Sequence, residues 1–170
     1  IKSIKRQIFL IQNLVNEFST YARLPKANIT KLNLSEICLV YIEEYKRNYD
    51  KINVTHNIED NLFVNFDQSY LDIIFNNLFK NSIEALETTN NPAIEISLKK
   101  TNKKLILTFF DNGPGYEGDI DDLIKPYFST KNSSGLGLSL INKIITDNSY
   151  KMNITTNRYS GFKIEIIFYD

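Results

Sequence analysis

The stretch LILTFFDNGPG, residues 105–115, joins an apolar run to a loop that contains two glycines. The apolar run predicts a strand that closes at Asp111. Gly113 and Gly115 then stand where the backbone must turn tightly or approach a ligand closely. A carboxylate at the end of a strand can accept a hydrogen bond from an exocyclic amine such as that of adenine. Asp-Asn-Gly is also a common turn sequence, so a plain turn is the alternative interpretation.

A second glycine run, GLGLS at residues 135–139, opens a predicted helix directly after a polar loop. A helix start with free N–H groups and little side chain in the way is suited to bind phosphate. The run lacks the preceding strand and third glycine of the dinucleotide-binding Gly-x-Gly-x-x-Gly motif, and it lacks the Gly-Lys-Ser/Thr of a Walker loop. The alternative is an ordinary glycine-rich helix entry.

A long helix precedes both runs, with Asp67 as its N-cap and an end near Glu87. Because successive helical residues are about 100° apart, one arc carries the polar residues Asn77, Lys80, Asn81 and Glu84. The neighbouring arc is apolar and is predicted to pack on a sheet. An amide oxygen such as that of Asn81 suits Mg²⁺, which prefers oxygen ligands and shares its shell with phosphates and water. Solvated polar residues of an asparagine-rich chain are the alternative.

The other predicted elements give an α/β (α+β) two-layer sandwich, in which helices cover one face of a mixed, mainly antiparallel sheet. A helix begins after Ser35, its predicted N-cap, and ends near Lys51. Two strands at 52–58 and 62–66 follow, with residues 59–61 as a hairpin turn. Further strands are predicted at 93–99, 104–110, 151–156 and 162–168, and the helix after the second glycine run ends near Asp147.

The first 24 residues carry a separate helical pattern. Their apolar positions alternate in spacings of four and three, as in a heptad seam: Ile4, Ile8, Ile11, Val15, Phe18 and Ala22. The seam predicts half of a helical hairpin or coiled coil, the alternative being an amphipathic helix that lies on its own domain. Leu24-Pro25 ends this helix. We therefore divide the chain into a helical segment 1–24, a linker 25–33 and a main domain 34–170.

The composition narrows the classes of function. The chain has 20 Lys and Arg residues against 20 Asp and Glu residues, so no net charge draws it to nucleic acid or to an anionic membrane. No apolar run reaches the length of a membrane span, and the start lacks the pattern of a signal peptide. The single cysteine, Cys38, stands in an apolar stretch and is expected to be a small buried residue in a reducing, cytosolic setting.

Four motifs, in register, resemble those of a known superfamily. Residues 76–85, 111–115, 126–131 and 135–139 resemble the N, G1, F and G2 boxes of the ATPases that include histidine kinases, gyrase, Hsp90 and MutL. Within that superfamily the chain is most similar to sensor histidine kinases of the nitrogen-regulation type. The segment 14–25 resembles the end of the second helix of their dimerisation and phosphotransfer domain, so the first 24 residues would be part of that hairpin.

The resemblance implies a nucleotide site for ATP and Mg²⁺. Asn81 would hold the metal, Asp111 would contact adenine, and Gly113 and Gly115 would shape the base pocket. Gly135 and Gly137 would cradle the phosphates. The other nucleotide-binding residues that the resemblance implies are Asn77, Lys80, Phe128, Thr130, Lys131, Leu136 and Leu138.

The polar segment 116–134 would then be a mobile lid over the nucleotide. Lys131, in the F box, would offer the phosphates a positive charge and is the candidate for a catalytic contact. The lid also carries an acidic cluster, formed by Asp119, Asp121 and Asp122. A second metal site is conceivable there, but the dipole of a short helix at 121–125 accounts better for carboxylates at its start.

The implied activity is transfer of the γ-phosphate of Mg-ATP to a histidine. Hydrolysing members of the superfamily place a water-activating glutamate one helical turn before the metal asparagine, and this chain has Asn77 there. We therefore expect transfer rather than hydrolysis. Glu84, on the same helical arc, is the residue that could otherwise act on water.

The only histidine, His56, stands in a strand-like stretch with no acidic neighbour, so we expect a structural or surface residue. We expect the acceptor histidine on a helix that precedes residue 1 in the parent protein. The implied partners are that helix, a second subunit and a response regulator, and no nucleic acid is implied. The domain is expected in the cytoplasm, with any anchor in the bacterial inner membrane supplied by regions N-terminal to this chain.

Two other functions stay open at this point. A serine kinase of the anti-sigma-factor type would share the pocket but would lack the helical hairpin. A degenerate, non-catalytic module would bind nucleotide, or only a partner, as a regulatory switch. The heptad seam argues against the first alternative, and the intact asparagine, aspartate and glycine motifs argue against the second.

Overall fold

The structure is a computed structural model that describes residues 21–129, 134–158 and 160–169, together with Ile4, Ile8, Ile11, Gln12, Val15, Phe18 and Ser19. The helices of the main domain are α1 (Leu34–Asn48), α2 (Gln68–Leu86), α3 (Ile120–Leu123) and α4 (Gly137–Asp147). The strands are β1 (Thr30–Asn33), β2 (Asn53–Ile58), β3 (Phe63–Phe66), β4 (Ala93–Thr101), β5 (Lys104–Asp111), β6 (Lys151–Thr156) and β7 (Phe162–Tyr169). The described residues from Ile4 to Ala22 are also helical.

One sheet contains β2, β4, β5, β7 and β6, in that spatial order. β2 runs parallel to β4, and the other neighbours are antiparallel. Every second residue of the three central strands is buried, as expected for a sheet with one covered face. These residues are Ile94, Ile96, Leu98, Leu105, Leu107, Phe109, Ile164, Ile166 and Phe168. They share one core with buried residues of α1, α2 and α4, so the predicted fold class, a two-layer sandwich with a mixed sheet, is confirmed.

The predicted hairpin between residues 52–58 and 62–66 is wrong. β2 pairs with β4, whereas β3 pairs with β1 in a separate two-stranded sheet. Ser35, at the start of α1, lies against the connection between β2 and β3. Its hydroxyl donates to the carbonyl of Glu59 (2.6 Å) and accepts from the N–H of Leu62 (3.0 Å). These two bonds hold the connection on α1, and β3 then pairs with β1 and not with β2.

Strand β1 occupies the last four residues of the segment 25–33, which the sequence predicts to be a linker. It pairs with β3 from Thr30 to Asn33, so this part of the chain belongs to the folded domain. Asn33 rather than Ser35 caps α1, because its side chain accepts the amide of Glu36 (3.4 Å). Ser35 is one residue inside the helix and bonds to the β2–β3 connection instead. The rest of the domain division remains a prediction.

The chain just before β1 is tied to the start of α2. The hydroxyl of Tyr70 donates to the carbonyl of Pro25 (2.6 Å). The carboxylate of Asp67 accepts hydrogen bonds from the backbone N–H of Asn28 and from the backbone N–H of Ser69 (2.7 Å). Asp67 is therefore the N-cap of α2, as predicted. Three further residues of this segment are partly buried against the core: Tyr21, Leu24 and Ala27.

The apolar seam of the N-terminal helical segment faces solvent in this chain. Its described side chains are 50–59% exposed: Ile4, Ile8, Ile11, Val15 and Phe18. A stripe of this kind is typical of a helix that packs against another helix. In the part of the chain that the structure describes, no helix is long and apolar enough to cross a bilayer.

The prediction that Cys38 is a small buried residue is confirmed. The side chain lies in the core with no exposed surface, and its thiol is not in a disulfide. Burial raises the pKa of the thiol to about 12. At neutral pH the thiol is therefore protonated, and this keeps it a poor nucleophile.

Asp67 makes the stability of the fold depend on pH. Burial would raise the pKa of Asp67, but hydrogen bonds from Ser69 and from the backbone N–H of Asn28 hold this pKa below its ordinary value. A carboxylate with a lowered pKa stabilises the fold above its ordinary pKa, and this contribution is lost as the pH falls through the lowered value. We expect Asp67→Asn, which keeps the cap but removes the charge, to lower the free energy of unfolding by about 1 kcal/mol at neutral pH.

Urea unfolding at a series of pH values measures this effect. The difference between the parent and Asp67→Asn should shrink as the pH is lowered from about 5 to about 2. Asp60→Asn, in the exposed connection after β2, is the matched control and should differ little from the parent at neutral pH. A cost of Asp67→Asn that stays the same at every pH would contradict the charge effect.

Candidate functional site

One cleft collects most of the residues that the sequence motifs predict. This cleft is partly open to solvent. Helix α2 forms one wall, the end of β5 and the loop after it form another, and the segment before α4 and the start of that helix complete it. The predicted residues that line it are Asn77, Lys80, Asn81, Asp111, Gly115, Phe128, Gly135, Gly137 and Leu138.

The other predicted site residues are placed differently. Gly113 is not part of the lining, but its N–H donates to Oδ1 of Asp111 (3.0 Å) and so supports the wall. Leu136 is 3% exposed and is the residue from which α4 begins. Thr130 and Lys131 lie outside the described residues, so the contacts predicted for them stay predictions.

The asparagine face of α2 touches the start of α4. The amide Nδ2 of Asn77 donates to the carbonyl of Ile73 (2.7 Å), one helical turn earlier, and this fixes the orientation of the amide group. A β-carbon added to Gly137 would lie only 2.8 Å from Oδ1 of Asn77 and 3.6 Å from Nδ2 of Asn81. Only a glycine allows so close an approach, so the second glycine run and the asparagine motif form one end of the cleft.

The first turn of α4 offers backbone donors to this end of the cleft. Its N-cap position is Leu136, which makes no side-chain capping hydrogen bond. Ser139, which could have served the turn, donates its hydroxyl back to the carbonyl of Leu136 (2.9 Å). An uncapped first turn of an 11-residue helix combines unsatisfied N–H groups with the positive end of the helix dipole. This end of the cleft is therefore suited to an anion such as a phosphate.

Asp111 marks the opposite end of the cleft. It is the last residue of β5, and its side chain is only 3% exposed. Its Oδ2 accepts the hydroxyl of Ser82 (2.8 Å), and its Oδ1 accepts the N–H of Gly113. The neighbouring Asn112 accepts the amide of Ala93 (2.8 Å) and thereby fixes the end of β5 to the start of β4. The carboxylate is thus an acceptor with a fixed position in the wall of the cleft.

The turn between β6 and β7 supports the first glycine loop. Gly115 has a φ of +69°, and a β-carbon there would lie 2.0 Å from the carbonyl oxygen of Asn157. The next residue, Tyr116, donates its N–H to the hydroxyl of Thr156 (2.9 Å), and that hydroxyl donates to the carbonyl of Gly161 (2.9 Å). Thr156 and Gly161 were not among the residues predicted for the site. A glycine between two predicted strands was the available signal, but nothing local says which loop the turn supports.

The segment before α4 closes one side of the cleft. Tyr116 and Phe128 meet edge to face, with ring centroids 6.1 Å apart. The N–H of Tyr127 donates to the carbonyl of Gly135 (3.1 Å), so the two motifs that flank residues 130–133 are joined by a backbone bond. The proposed mobility of the lid stays a prediction.

The acidic cluster of this segment serves its own short helix. Asp119 caps α3 by accepting the N–H of Asp121 (3.0 Å). Asp122 forms an ion pair with Lys125 (2.6 Å). Helix α3 runs from Ile120 to Leu123, which is slightly earlier than expected. No group of three His, Cys, Asp or Glu side chains within the described residues could hold a metal ion.

The donors in the cleft fit one kind of metal site. The side-chain amide of Asn81 lines the cleft beside the start of α4, where Nδ2 is its atom nearest to Gly137, and the same amide carries an oxygen that could bind a metal ion. Mg²⁺ usually takes few protein ligands and completes its shell with substrate phosphates and water. The residues present therefore suit a Mg²⁺ that arrives with a phosphorylated ligand.

His56 lies outside the cleft, on strand β2. It is exposed, and its Nδ1 lies 3.4 Å from Nζ of Lys46. A histidine that accepts a phosphoryl group in the predicted family stands on a helix beside an acidic residue, and neither condition is met. The position supports the interpretation of His56 as a surface residue.

The sheet is covered on one face, and the cleft lies between a helix that bears asparagines and an uncapped helix that starts at a glycine. This combination defines an ATPase of the class that includes histidine kinases and gyrase. Residues 66–169 match the model of the family described as histidine kinase-, DNA gyrase B-, and HSP90-like ATPase. The chain belongs to this family, which confirms the family prediction.

Two kinds of known proteins resemble the chain. A sensor histidine kinase of Rickettsia bellii (strain RML369-C), described as NtrY-like, is 27% identical over 173 residues, which covers 99% of this chain and 28% of that protein. The chain therefore spans well under half of this relative. The nucleotide-free catalytic domain of the histidine kinase ThkA has a TM-score of 0.72 at 26% identity, covering 84% of this chain and 95% of that one. ThkA in complex with the response regulator protein TrrA has a TM-score of 0.81 at 24% identity, covering 99% of this chain and 50% of that one.

The close contact at Gly115 predicts a large cost for any side chain there. Gly115→Ala places a β-carbon against the backbone of the β6–β7 turn and forces a left-handed φ on a non-glycine residue. We expect the free energy of unfolding to fall by about 2 kcal/mol. Thermal unfolding monitored by circular dichroism measures the change.

Gly118→Ala is the matched control for this prediction. A β-carbon at Gly118 would meet only the outer end of the Tyr116 side chain, which can swing away. We expect a cost well below that of Gly115→Ala. Equal costs for the two variants would show that the backbone contact with the turn does not restrict Gly115.

Proposed function

We propose that this chain binds Mg-ATP and donates the γ-phosphate to a histidine located outside these 170 residues, in two-component signal transduction. Its membership of the histidine kinase-like ATPase family gives the coarser statement, an ATP-binding kinase domain. The observation that carries the finer proposal is the pairing, within one cleft, of a fixed acceptor, Asp111, with the uncapped start of α4. The amine of an adenine base requires an acceptor such as Asp111, and a triphosphate is bound well by free N–H groups at a helix start.

The residues of the cleft divide the work of holding the nucleotide. Asp111 accepts the exocyclic amine of adenine, and the loop through Gly115 lies against the base. The N–H groups at the start of α4 meet the phosphates, and the side chain of Lys131 adds a positive charge to them. Asn81 would hold Mg²⁺, and a bound Mg²⁺ would neutralise part of the phosphate charge. Positioning and charge neutralisation account for most of what a protein contributes to phosphoryl transfer.

Transfer is favoured over hydrolysis by the chemistry of Asn77. This residue stands one helical turn before Asn81, where hydrolysing relatives carry a base. An amide cannot take a proton from water at neutral pH, and its Nδ2 is already engaged with the carbonyl of Ile73. Glu84 also lines the cleft and is the remaining carboxylate of this helical arc. Because position 77 carries an amide and not a base, we expect transfer of the γ-phosphate to another acceptor to be favoured over hydrolysis, with Glu84 as the residue that could otherwise act on water.

The position of the only histidine and the exposed helical seam indicate where the acceptor histidine and the protein partners would be. His56 is the only histidine and lies on a strand, so the acceptor belongs to another segment. The exposed seam from Ile4 to Phe18 is the surface on which the acceptor helix and a second subunit would pack. A response regulator then receives the phosphate. In support of this, the structurally similar histidine kinase ThkA has been solved in complex with the response regulator protein TrrA. The domain works in the cytoplasm, where ATP is available.

Calorimetry of nucleotide binding tests the site. The parent should bind ATP in the presence of magnesium, and Asp111→Asn should bind at least tenfold more weakly, because an amide presents a donor to the N6 amine. Asp72→Asn is the matched control, since Asp72 stands on the other side of α2 and accepts the hydroxyl of Tyr41 (2.6 Å). Equal affinities for the parent and Asp111→Asn would remove the base assignment.

Transfer of labelled phosphate tests the reaction. The chain is incubated with ATP labelled at the γ-phosphate and with a helical hairpin that carries the acceptor histidine of a nitrogen-regulation-type kinase. We expect label on the hairpin in an acid-labile, base-stable form, and none on a hairpin whose histidine is replaced by glutamine. Acid-stable label on serine would favour the serine kinase. Tight binding of ATP without any transfer would favour a non-catalytic module.

A further inference from the structure

Ser82 is a buried hydroxyl to which the sequence motifs assign no role. It follows Asn81 on α2, and its side chain is only 2% exposed. Its hydroxyl donates to Oδ2 of Asp111 at 2.8 Å. Because consecutive helical residues point about 100° apart, the two neighbours serve different ends of the cleft. Asn81 lies beside the start of α4, and Ser82 reaches the carboxylate at the end of β5.

The carboxylate of Asp111 is held through both of its oxygens. Oδ1 accepts the N–H of Gly113 at 3.0 Å, and Oδ2 accepts Ser82. The two donors come from separate elements, the loop after β5 and helix α2, so together they fix the plane of the carboxylate relative to both walls. These two donors therefore fix the direction in which the carboxylate points.

We propose that Ser82 is a positioning residue for base recognition, which aims Asp111 at the exocyclic amine of a 6-aminopurine. This inference rests on the proposed nucleotide site and deepens it. Without the hydroxyl, Oδ2 loses a donor in a buried setting, and the carboxylate can rotate or draw in water. The amine of the base then meets a poorly aimed acceptor. The triphosphate, at the other end of the cleft, keeps its contacts.

A comparison of two nucleotides isolates this role. Calorimetry with the 170-residue chain measures the affinity for ATP and for purine riboside triphosphate, which is the same molecule without the N6 amine. We expect the parent to prefer ATP. Ser82→Ala should weaken ATP binding by about tenfold and binding of the analogue by less than about twofold, so that most of the preference disappears. Ser82→Cys, which keeps the size and a weaker donor, should retain part of the preference.

Ser35→Ala is the matched control, because Ser35 is about as buried as Ser82 and makes two hydrogen bonds at the start of α1, a helix that does not line the cleft. Thermal unfolding of each variant shows the loss of stability, and we expect Ser35→Ala to lose stability and keep the nucleotide preference. Equal losses of ATP and analogue in both Ser82 variants would overturn the role of Ser82 and leave the nucleotide site standing. Failure of the parent to bind ATP would instead overturn the nucleotide site, and this role with it.

Discussion

Helix α2 must bury one face and present another to a ligand, and the rest of the structure depends on how it meets both demands. Its rings of Phe75 and Phe79 are fully buried and stack on Tyr41 and Tyr45 of α1, with centroids 4.6 and 3.6 Å apart. A rotation by one residue, about 100°, would withdraw these rings and also turn the asparagine arc out of the cleft. The aromatic packing therefore sets the rotation of the helix, and with it the direction of the polar side chains.

The two ends of α2 are anchored to different parts of the chain. At its start, Asp67 and Tyr70 bond to the backbone of residues 25–28, so the segment that leads in from the N-terminal helix is packed on the domain. Near its end, Ser82 bonds to Asp111 at the edge of the sheet. The same helix therefore contacts residues 25–28 at its start and Asp111 in the wall of the cleft near its end.

Most features that depend on neighbouring residues were predictable, although the N-cap of α1 is Asn33 and not the predicted Ser35, and features that depend on distant residues were not predictable. The cap at Asp67, the polar arc and the two glycine runs are patterns within a few residues. Asp67 caps α2 as predicted, and the polar arc lines the cleft together with Gly115, Gly135 and Gly137. The choice of partner for β2 was missed because a short strand carries no mark that separates a parallel neighbour from an antiparallel one. Thr156 and Ser82 were missed for a related reason. Their bonds join residues 40 and 29 positions apart, and a hydroxyl in a strand or helix does not reveal its partner.

The two ends of the cleft differ in how much of their binding geometry is already in place. At the base end, Asp111 and the glycine loop are fixed by bonds to α2, to β4 and to the β6–β7 turn, so little ordering remains for a ligand to impose. At the phosphate end, α4 starts without a side-chain cap, and an uncapped start costs a helix about 1 kcal/mol. A phosphate that accepts those N–H groups restores this stability as it binds. In the proposed site, the base end would therefore supply selectivity through rigidity, whereas the phosphate end would couple nucleotide binding to the stability of α4.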